Sequence, residues 1–239
     1  MTRFAIGVDL GGTNLRIGAI NENGAMFDQL SLETLSERWR EDVVDRLAGG
    51  ILELVARWKQ HYTLAGIGVG VPGIIKLQEG TVVASPNLPG WENFNVRGQI
   101  FNRLNTPIFL ENDANAAALG DKWMGVGKNV DHLCLITMGT GIGGGLILDG
   151  KIWHGLTGMA AELGHVTIYP EGRICKCGCY GCLEAYAAAS AVVVAAQELL
   201  ESSKASPGLQ NLAEDLQEIR AGRPRDPPSG RFPSHPRPG

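Results

Sequence analysis

The stretch that decides the fold lies at the start: Phe4-Ala5-Ile6-Gly7-Val8-Asp9-Leu10-Gly11-Gly12-Thr13-Asn14-Leu15-Arg16-Ile17-Gly18-Ala19-Ile20. Phe4 to Leu10 reads as an apolar strand and Leu15 to Ile20 as a second. Asn21-Glu22-Asn23-Gly24 is a hairpin turn into a third strand that ends near Leu32, which makes a three-strand meander. Between the first two strands, Gly11 and Gly12 leave bare backbone whose N–H groups can face phosphate oxygens, and the Thr13 hydroxyl adds a donor. It is not a P-loop, since neither a Gly-Lys-Ser/Thr ending nor an immediately following helix is present. Taken alone, a Gly-Gly turn beside an Asp is more often just a turn.

A related order returns later as strand Leu133 to Met138, a Gly-Thr run, strand Leu146 to Leu148 and the turn Asp149-Gly150. Five of the nine positions in Thr137-Met138-Gly139-Thr140-Gly141-Ile142-Gly143-Gly144-Gly145 are glycine. Each costs conformational entropy, so the density suggests a ligand pressing on the backbone. Two such hairpins suggest two similarly built domains facing one cleft and holding the two ends of a polyphosphate; the alternative is the coincidence of two common glycine-rich hairpins.

Around these hairpins strands alternate with helices, an α/β class. Leu35, Trp39, Val43, Leu47, Ile51, Leu54 and Trp58 recur at helical spacing, and their stripe must cover the sheet. Ile67 to Val71 is a buried strand closed by Pro72-Gly73. Pro107 to Leu110 is another, running into Asn112-Asp113 and an alanine-rich helix. Ala185 to Ala196 is too short for a membrane span and reads as a buried helix.

The chain has 239 residues, 33 of them glycine, with 21 basic against 25 acidic side chains. The net charge of −4 does not advertise a basic face for phosphate backbones, so nucleic acid is a poor partner. No membrane partner and no signal peptide are expected, which places the protein in the cytoplasm. Residues 220–239 hold six of the 12 prolines and five arginines. They are expected to form a disordered tail, and their abrupt composition suggests a shifted reading frame.

Glu111-Asn112-Asp113 closes a strand, where open α/β sheets place their ligands. Asp113 is also the expected N-cap of the following helix. Phosphoryl transfer to an alcohol needs a carboxylate to take the hydroxyl proton, which is the second role for an acid here. Cys175-Lys176-Cys177-Gly178-Cys179-Tyr180-Gly181-Cys182, with His165, packs thiols in a glycine-bent loop suited to a tetrahedral zinc, as Cys₃His or Cys₄; a disulfide pair is the alternative. Four protein ligands leave no open position, so such a zinc is structural. Cys134 is expected to be a small buried hydrophobe. Glu162 and His165 share a face if Gly158 to His165 is helical, and Glu184 follows the last cysteine, so the loop can aim two carboxylates and an imidazole at one point.

Asp9-Leu-Gly-Gly-Thr-Asn14, Ser85-Pro-Asn-Leu-Pro-Gly-Trp91, Glu111-Asn-Asp-Ala-Asn115, the Gly139 to Gly145 run, Glu162-Leu-Gly-His165 and Cys175-x-Cys-Gly-x-x-Gly-Cys-x-Glu184 occur in that order. Together they resemble the bacterial ROK sugar kinases, and among them the glucose kinases. The resemblance implies an actin-like (ribonuclease H-like) two-domain fold, with residues 1–117 as an N-terminal α/β domain, 118–213 as an incomplete second α/β domain with the zinc loop, and 214–239 as the tail. It implies ATP and Mg²⁺ as cofactors beside structural Zn²⁺. Asp113 is then the general base that takes the 6-hydroxyl proton of a hexose. Gly73, Asn87, Asn112, Asp113, Glu162, His165 and Glu184 hold the sugar, with Asp9, Gly11, Gly12, Thr13, Asn14, Gly139, Thr140, Gly141, Gly143 and Gly144 along the nucleotide and its metal. Zinc goes to His165, Cys175, Cys177 and Cys182, leaving Cys179 at a variable position. The substrate implied is glucose, giving glucose 6-phosphate, or alternatively N-acetylmannosamine or N-acetylglucosamine; an inactive sugar-binding fragment and a sugar-responsive repressor are the other readings, and a homodimer is possible. Family members continue further, with a glycine-rich segment near the adenosine that is absent or replaced here.

Overall fold

A computed structural model describes residues 2–202 and 205–220. The chain divides into two compact units, Met1–Ala188 and Ala189–Gly239. The first is built on a five-stranded mixed sheet in the order β3-β2-β1-β4-β7. Here β1 is Arg3–Leu10, β2 Asn14–Asn21, β3 Met26–Glu33, β4 Thr63–Val71 and β7 Ile108–Asn112. The first three form the expected antiparallel meander, and β4 and β7 add in parallel. Along β1, Phe4, Ile6, Val8 and Leu10 are buried, and along β2 Leu15, Ile17 and Ala19. This alternation lays one apolar face under the helices α1 (Arg40–Trp58) and α2 (Val96–Leu104). Helix α1 buries Val43, Leu47, Ile51 and Leu54 of the predicted stripe, and Val44 beside them, each side chain contributing about 1.5–3 kcal/mol on leaving water.

The stripe does not extend back to Leu35 and Trp39 as expected. Leu35 has φ +55°, a left-handed conformation that no helix continues through. Trp39 takes the extended N-cap position and is 81% exposed.

A small hairpin, β5 (Ile74–Lys76) with β6 (Thr81–Ala84), leads into the Ser85–Trp91 loop. Then β8 (Leu133–Met138), β9 (Ile142–Leu148) and β10 (Lys151–Ile152) form a three-stranded antiparallel sheet in the order β10-β9-β8. Between the two larger sheets in sequence lies α3 (Asp113–Met124), and it packs against both. The expected boundary between residues 117 and 118 therefore falls inside a helix, and the compact unit continues through Ala188. Cys134 is exposed, not buried, because β8 turns alternate residues outward and Cys134 falls on the outward set.

Gly158 to His165 is not a helix: only Leu163–His165 forms a 3-10 turn, with Gly158 at φ +80° and Ala161 at φ +65°. The segment Ala185 to Ala196 splits into α4 (Glu184–Ala187), which ends the first unit, and α5 (Ala189–Glu201). Ala188, extended at φ −66° and ψ 154°, separates them. Helix α5 is not buried as expected; Ala191 is its buried residue, and Val192, Val193 and Val194 are exposed. Small apolar side chains set a propensity, but burial requires a packing partner on every face. Helix α6 (Pro207–Arg220) completes the described part of the second unit. Residues 214–220 of the expected tail thus belong to a helix, and 221–239 lie outside the described residues.

Candidate active site and metal centre

The strand ends converge on one cavity. Asp9 at the end of β1 is level with Gly70 of β4, and Gly70 with Glu111 of β7. A Cβ at Gly70 would stand 3.5 Å from the Asp113 Cα; with only hydrogen there, Asp9, Gly70 and Asp113 line one opening. The cavity, of about 360 Å³, is lined by Asp9 and Val8 from the first hairpin, Asp113, Ala114, Ala116 and Ala117 from α3, and Thr137 from the second hairpin. Both glycine-turned hairpins therefore border the same space.

Asp113 is not the cap of α3. That role belongs to Asn112, extended at φ −65° and ψ 144°, whose Oδ1 accepts the N–H groups of Ala114 at 3.0 Å and Asn115 at 3.1 Å. The Asn112 Nδ2 donates to the Gly73 carbonyl at 3.2 Å, tying helix start to the strand loop after β4. Asn112 is thereby largely occupied by structure, with one amide hydrogen left for a ligand. Asp113, in the first helical position, accepts the Ala114 N–H at 2.9 Å and opens toward the cavity. Loss of solvent raises its carboxyl above the ordinary value, the Ala114 hydrogen bond opposes this, and the Asp9 charge adds to the rise.

The first loop is held from a distance. Thr34, fully buried, donates its hydroxyl to the Gly11 carbonyl at 2.6 Å and its N–H to the Thr13 carbonyl at 2.8 Å. Gly11 N–H closes the turn on the Asn14 carbonyl at 2.9 Å. With the carbonyls engaged, the Gly12 and Thr13 edge is what the loop can offer to an anion. Asn87 lies against Gly12, its carbonyl 2.8 Å from where a Cβ would stand.

The second glycine run is only partly a loop. Gly139, Thr140 and Gly141 turn, with Gly139 N–H on the Gly141 carbonyl at 2.9 Å, while Ile142 to Gly145 are already strand β9. Protein, not a ligand, explains three of its glycines. A Cβ on Gly143 would stand 3.0 Å from the Ala114 Cβ, one on Gly145 2.5 Å from the Ala118 Cβ, and one on Gly144 would strike the Ala161 carbonyl. Helix α3 lies directly on β9 because those side chains are missing.

Glu162, His165 and Glu184 meet near this strand. Burial raises the Glu162 carboxyl; His165 opposes the shift, and the Asp113 and Glu184 charges reinforce it, so three charged neighbours lie within electrostatic reach of Glu162. One Glu184 oxygen, Oε2, accepts the Ile142 N–H at 2.8 Å.

Beside them, one donor atom each from His165, Cys175, Cys177 and Cys182 lie within 4.8 Å of one another. The Cys177 and Cys182 sulfurs are 3.7 Å apart, as are the Cys175 sulfur and His165 Nδ1. A tetrahedral ion with ligands at about 2.0 to 2.3 Å requires ligand separations of roughly 3.5 to 3.8 Å, so the set fits zinc. With Nδ1 on the metal side, His165 keeps Nε2 for another partner. Cys179 contributes its backbone, accepting the Cys175 N–H at 2.8 Å. Donation from the Cys179 N–H brings the Cys177 thiol down to about 7, whereas burial pushes Cys182 up to about 12.

Sequence reasoning missed Thr34, which sits 23 residues from the carbonyl it holds and carries no local pattern. It also missed His154, whose Nε2 lies 2.9 Å from Glu111 Oε2, while Glu111 Oε1 accepts from Asn112 N–H and Asn115 Nδ2.

Paired hairpins over a shared cavity, with a mixed sheet behind the first, define an actin-like α/β protein. A profile of the ROK family matches residues 5–219, and the chain belongs to that family. It is 44% identical over 187 residues to a glucokinase of Thermotoga maritima, an alignment covering 78% of this chain and 58% of that protein. A xylose repressor of Caldicellulosiruptor bescii is 36% identical over 198 residues, 82% of this chain and 49% of the repressor. Among solved structures, a ROK family glucokinase from Streptomyces griseus in complex with glucose and AMPPNP matches with a TM-score of 0.73 at 34% identity, over 83% of this chain and 62% of that one. The chain thus spans about three-fifths or less of the length of these relatives.

Proposed function

We propose that the cavity serves ATP-dependent phosphorylation of a hexose, glucose to glucose 6-phosphate, with Asp113 as the general base. The observation that carries this is the relief of Asp113 from capping duty by Asn112, which leaves a carboxylate tethered locally, through Oδ1 to the Ala114 N–H, and facing a space bordered by both hairpins. A base acts best when its proton affinity lies closer to neutral, and the desolvated Asp113 moves in that direction. Asp113 takes the proton from the sugar hydroxyl as the oxygen attacks the terminal phosphate. Asn87, Glu162, His165 through Nε2, Glu184 through its second oxygen, Asn112 and the Gly73 backbone orient the hydroxyls. The Gly12–Thr13 edge and the Gly139–Gly141 turn offer backbone to the phosphates.

Asp9 is placed to hold Mg²⁺, which offsets phosphate charge when bound. Zinc, held by His165, Cys175, Cys177 and Cys182, supplies rigidity. A cytoplasmic location is part of the same proposal; among the described residues no helix is long and apolar enough to cross a membrane.

The xylose repressor relative supports a second reading, a sugar-responsive regulator. A coupled assay of ADP release with glucose, N-acetylmannosamine and N-acetylglucosamine decides. Glucose-dependent release is expected, and Asp113→Asn should retain glucose binding while turnover falls about 10²-fold or more. No release with any sugar, or full turnover in the variant, overturns the assignment.

A further inference from the structure

The two chain segments that carry zinc ligands also grip the start of β9 from both sides. On one side Cys182 is followed by Glu184, whose Oε2 accepts the Ile142 N–H at 2.8 Å. That same oxygen stands 2.5 Å from where a Gly141 Cβ would be, so one edge of the carboxylate sits against the Gly141–Ile142 backbone. On the other side the turn ending at His165 presses in: Gly164 lies directly on the Ile142 carbonyl, and the Ala161 carbonyl on Gly144. Ile142 thus has its N–H held from the Cys182 segment and its carbonyl covered from the His165 segment. These segments are joined to each other by Leu183 N–H on the Val166 carbonyl at 2.9 Å, and the metal ligands His165 and Cys182 flank that joint.

We infer that the metal loop sets the shape of the second glycine turn, with Glu184 as the positioning residue that transmits it. The inference rests on the zinc and phosphate-loop assignments proposed above and assigns Glu184 a structural task beside sugar contact. A metal drawing His165 and Cys182 together closes the clasp on Ile142, and the Gly139–Gly141 turn is then presented in one conformation. Without Glu184 the Ile142 N–H loses a charge-assisted bond, and the turn is anchored from one side only.

Amide hydrogen exchange of the zinc-loaded full chain, without sugar or nucleotide, tests this. Glu184→Ala should speed exchange at Ile142 tenfold or more relative to wild type, with Ile67 and Val69 in the large sheet unchanged. Glu184→Gln, whose amide oxygen still accepts, should stay within a few-fold. Gly141→Ala, which displaces the carboxylate, should resemble Glu184→Ala. Chelation of zinc should speed Ile142 in wild type and add little in Glu184→Ala. If chelation also exposes Ile67 and Val69, the loaded Ala and Gln variants decide alone. Wild-type exchange at Ile142 in Glu184→Ala, or equal acceleration in the Ala and Gln variants, overturns the inference. Because no substrate is added, an absence of kinase activity leaves the outcome readable.

Discussion

Asn112→Ala removes two things at once. The first is the side-chain acceptor for the Ala114 and Asn115 N–H groups at the start of α3, a cap whose loss costs about 1 kcal/mol. The second is the donor to the Gly73 carbonyl, a half-buried hydrogen bond worth roughly another 1 kcal/mol. The sum, about 2 kcal/mol, corresponds to a drop in Tm of about 4–8 °C for a domain near 200 residues. Asn112→Ser separates the terms, because a serine hydroxyl still caps but cannot reach Gly73; its drop should be about 2–4 °C. Thermal unfolding followed by circular dichroism measures both. Ala and Ser variants melting together, or an Ala variant melting like wild type, would show that Asn112 is not the cap and would return Asp113 to that role. The proposed base would then lose its freedom.

Ionisation of Asp113 works against the fold, since the native state holds its proton more tightly than the unfolded chain does. Asp113→Asn should therefore raise Tm at pH 7, and the gain should shrink as pH is lowered toward 4; a variant less stable at pH 7 with no trend refutes this. Gly145→Ala drives a methyl into the Ala118 Cβ and should destabilise by about 1–3 kcal/mol, part of which Ala118→Gly restores; denaturant melts of the single and double variants check it. Zinc must displace the proton of Cys182, whose thiol stands at about 12, so competition with a chromophoric chelator should show affinity falling at least about tenfold for each pH unit of acidification. Below pH 7 the fall should steepen as Cys177, at about 7, also protonates.

Much of the scaffold was legible in local pattern. Alternation along Phe4 to Leu10 and Leu15 to Ile20 gave the meander, and helical spacing from Val43 to Trp58 gave α1, because both periodicities are properties of backbone geometry acting on neighbours in sequence. The spacing of Cys175, Cys177 and Cys182 likewise announced a metal loop, since short glycine-bent segments can bring their own ligands together. Local pattern failed where the deciding partner was remote. Leu35 and Trp39 fit the helical stripe, yet a left-handed residue starts the helix later.

The site shows the same division. Sequence by itself placed an acid after a strand, two glycine hairpins and a cysteine loop in order along the chain. Only the tertiary structure decided that Asn112 caps while Asp113 is released, and that Gly143 to Gly145 admit α3 and the Ala161 segment. It also decided that Glu184 reaches back 42 residues to hold Ile142. Periodicity reports how a segment meets its neighbours in the chain. Which oxygen a distant N–H donates to depends on packing of elements that no short window contains.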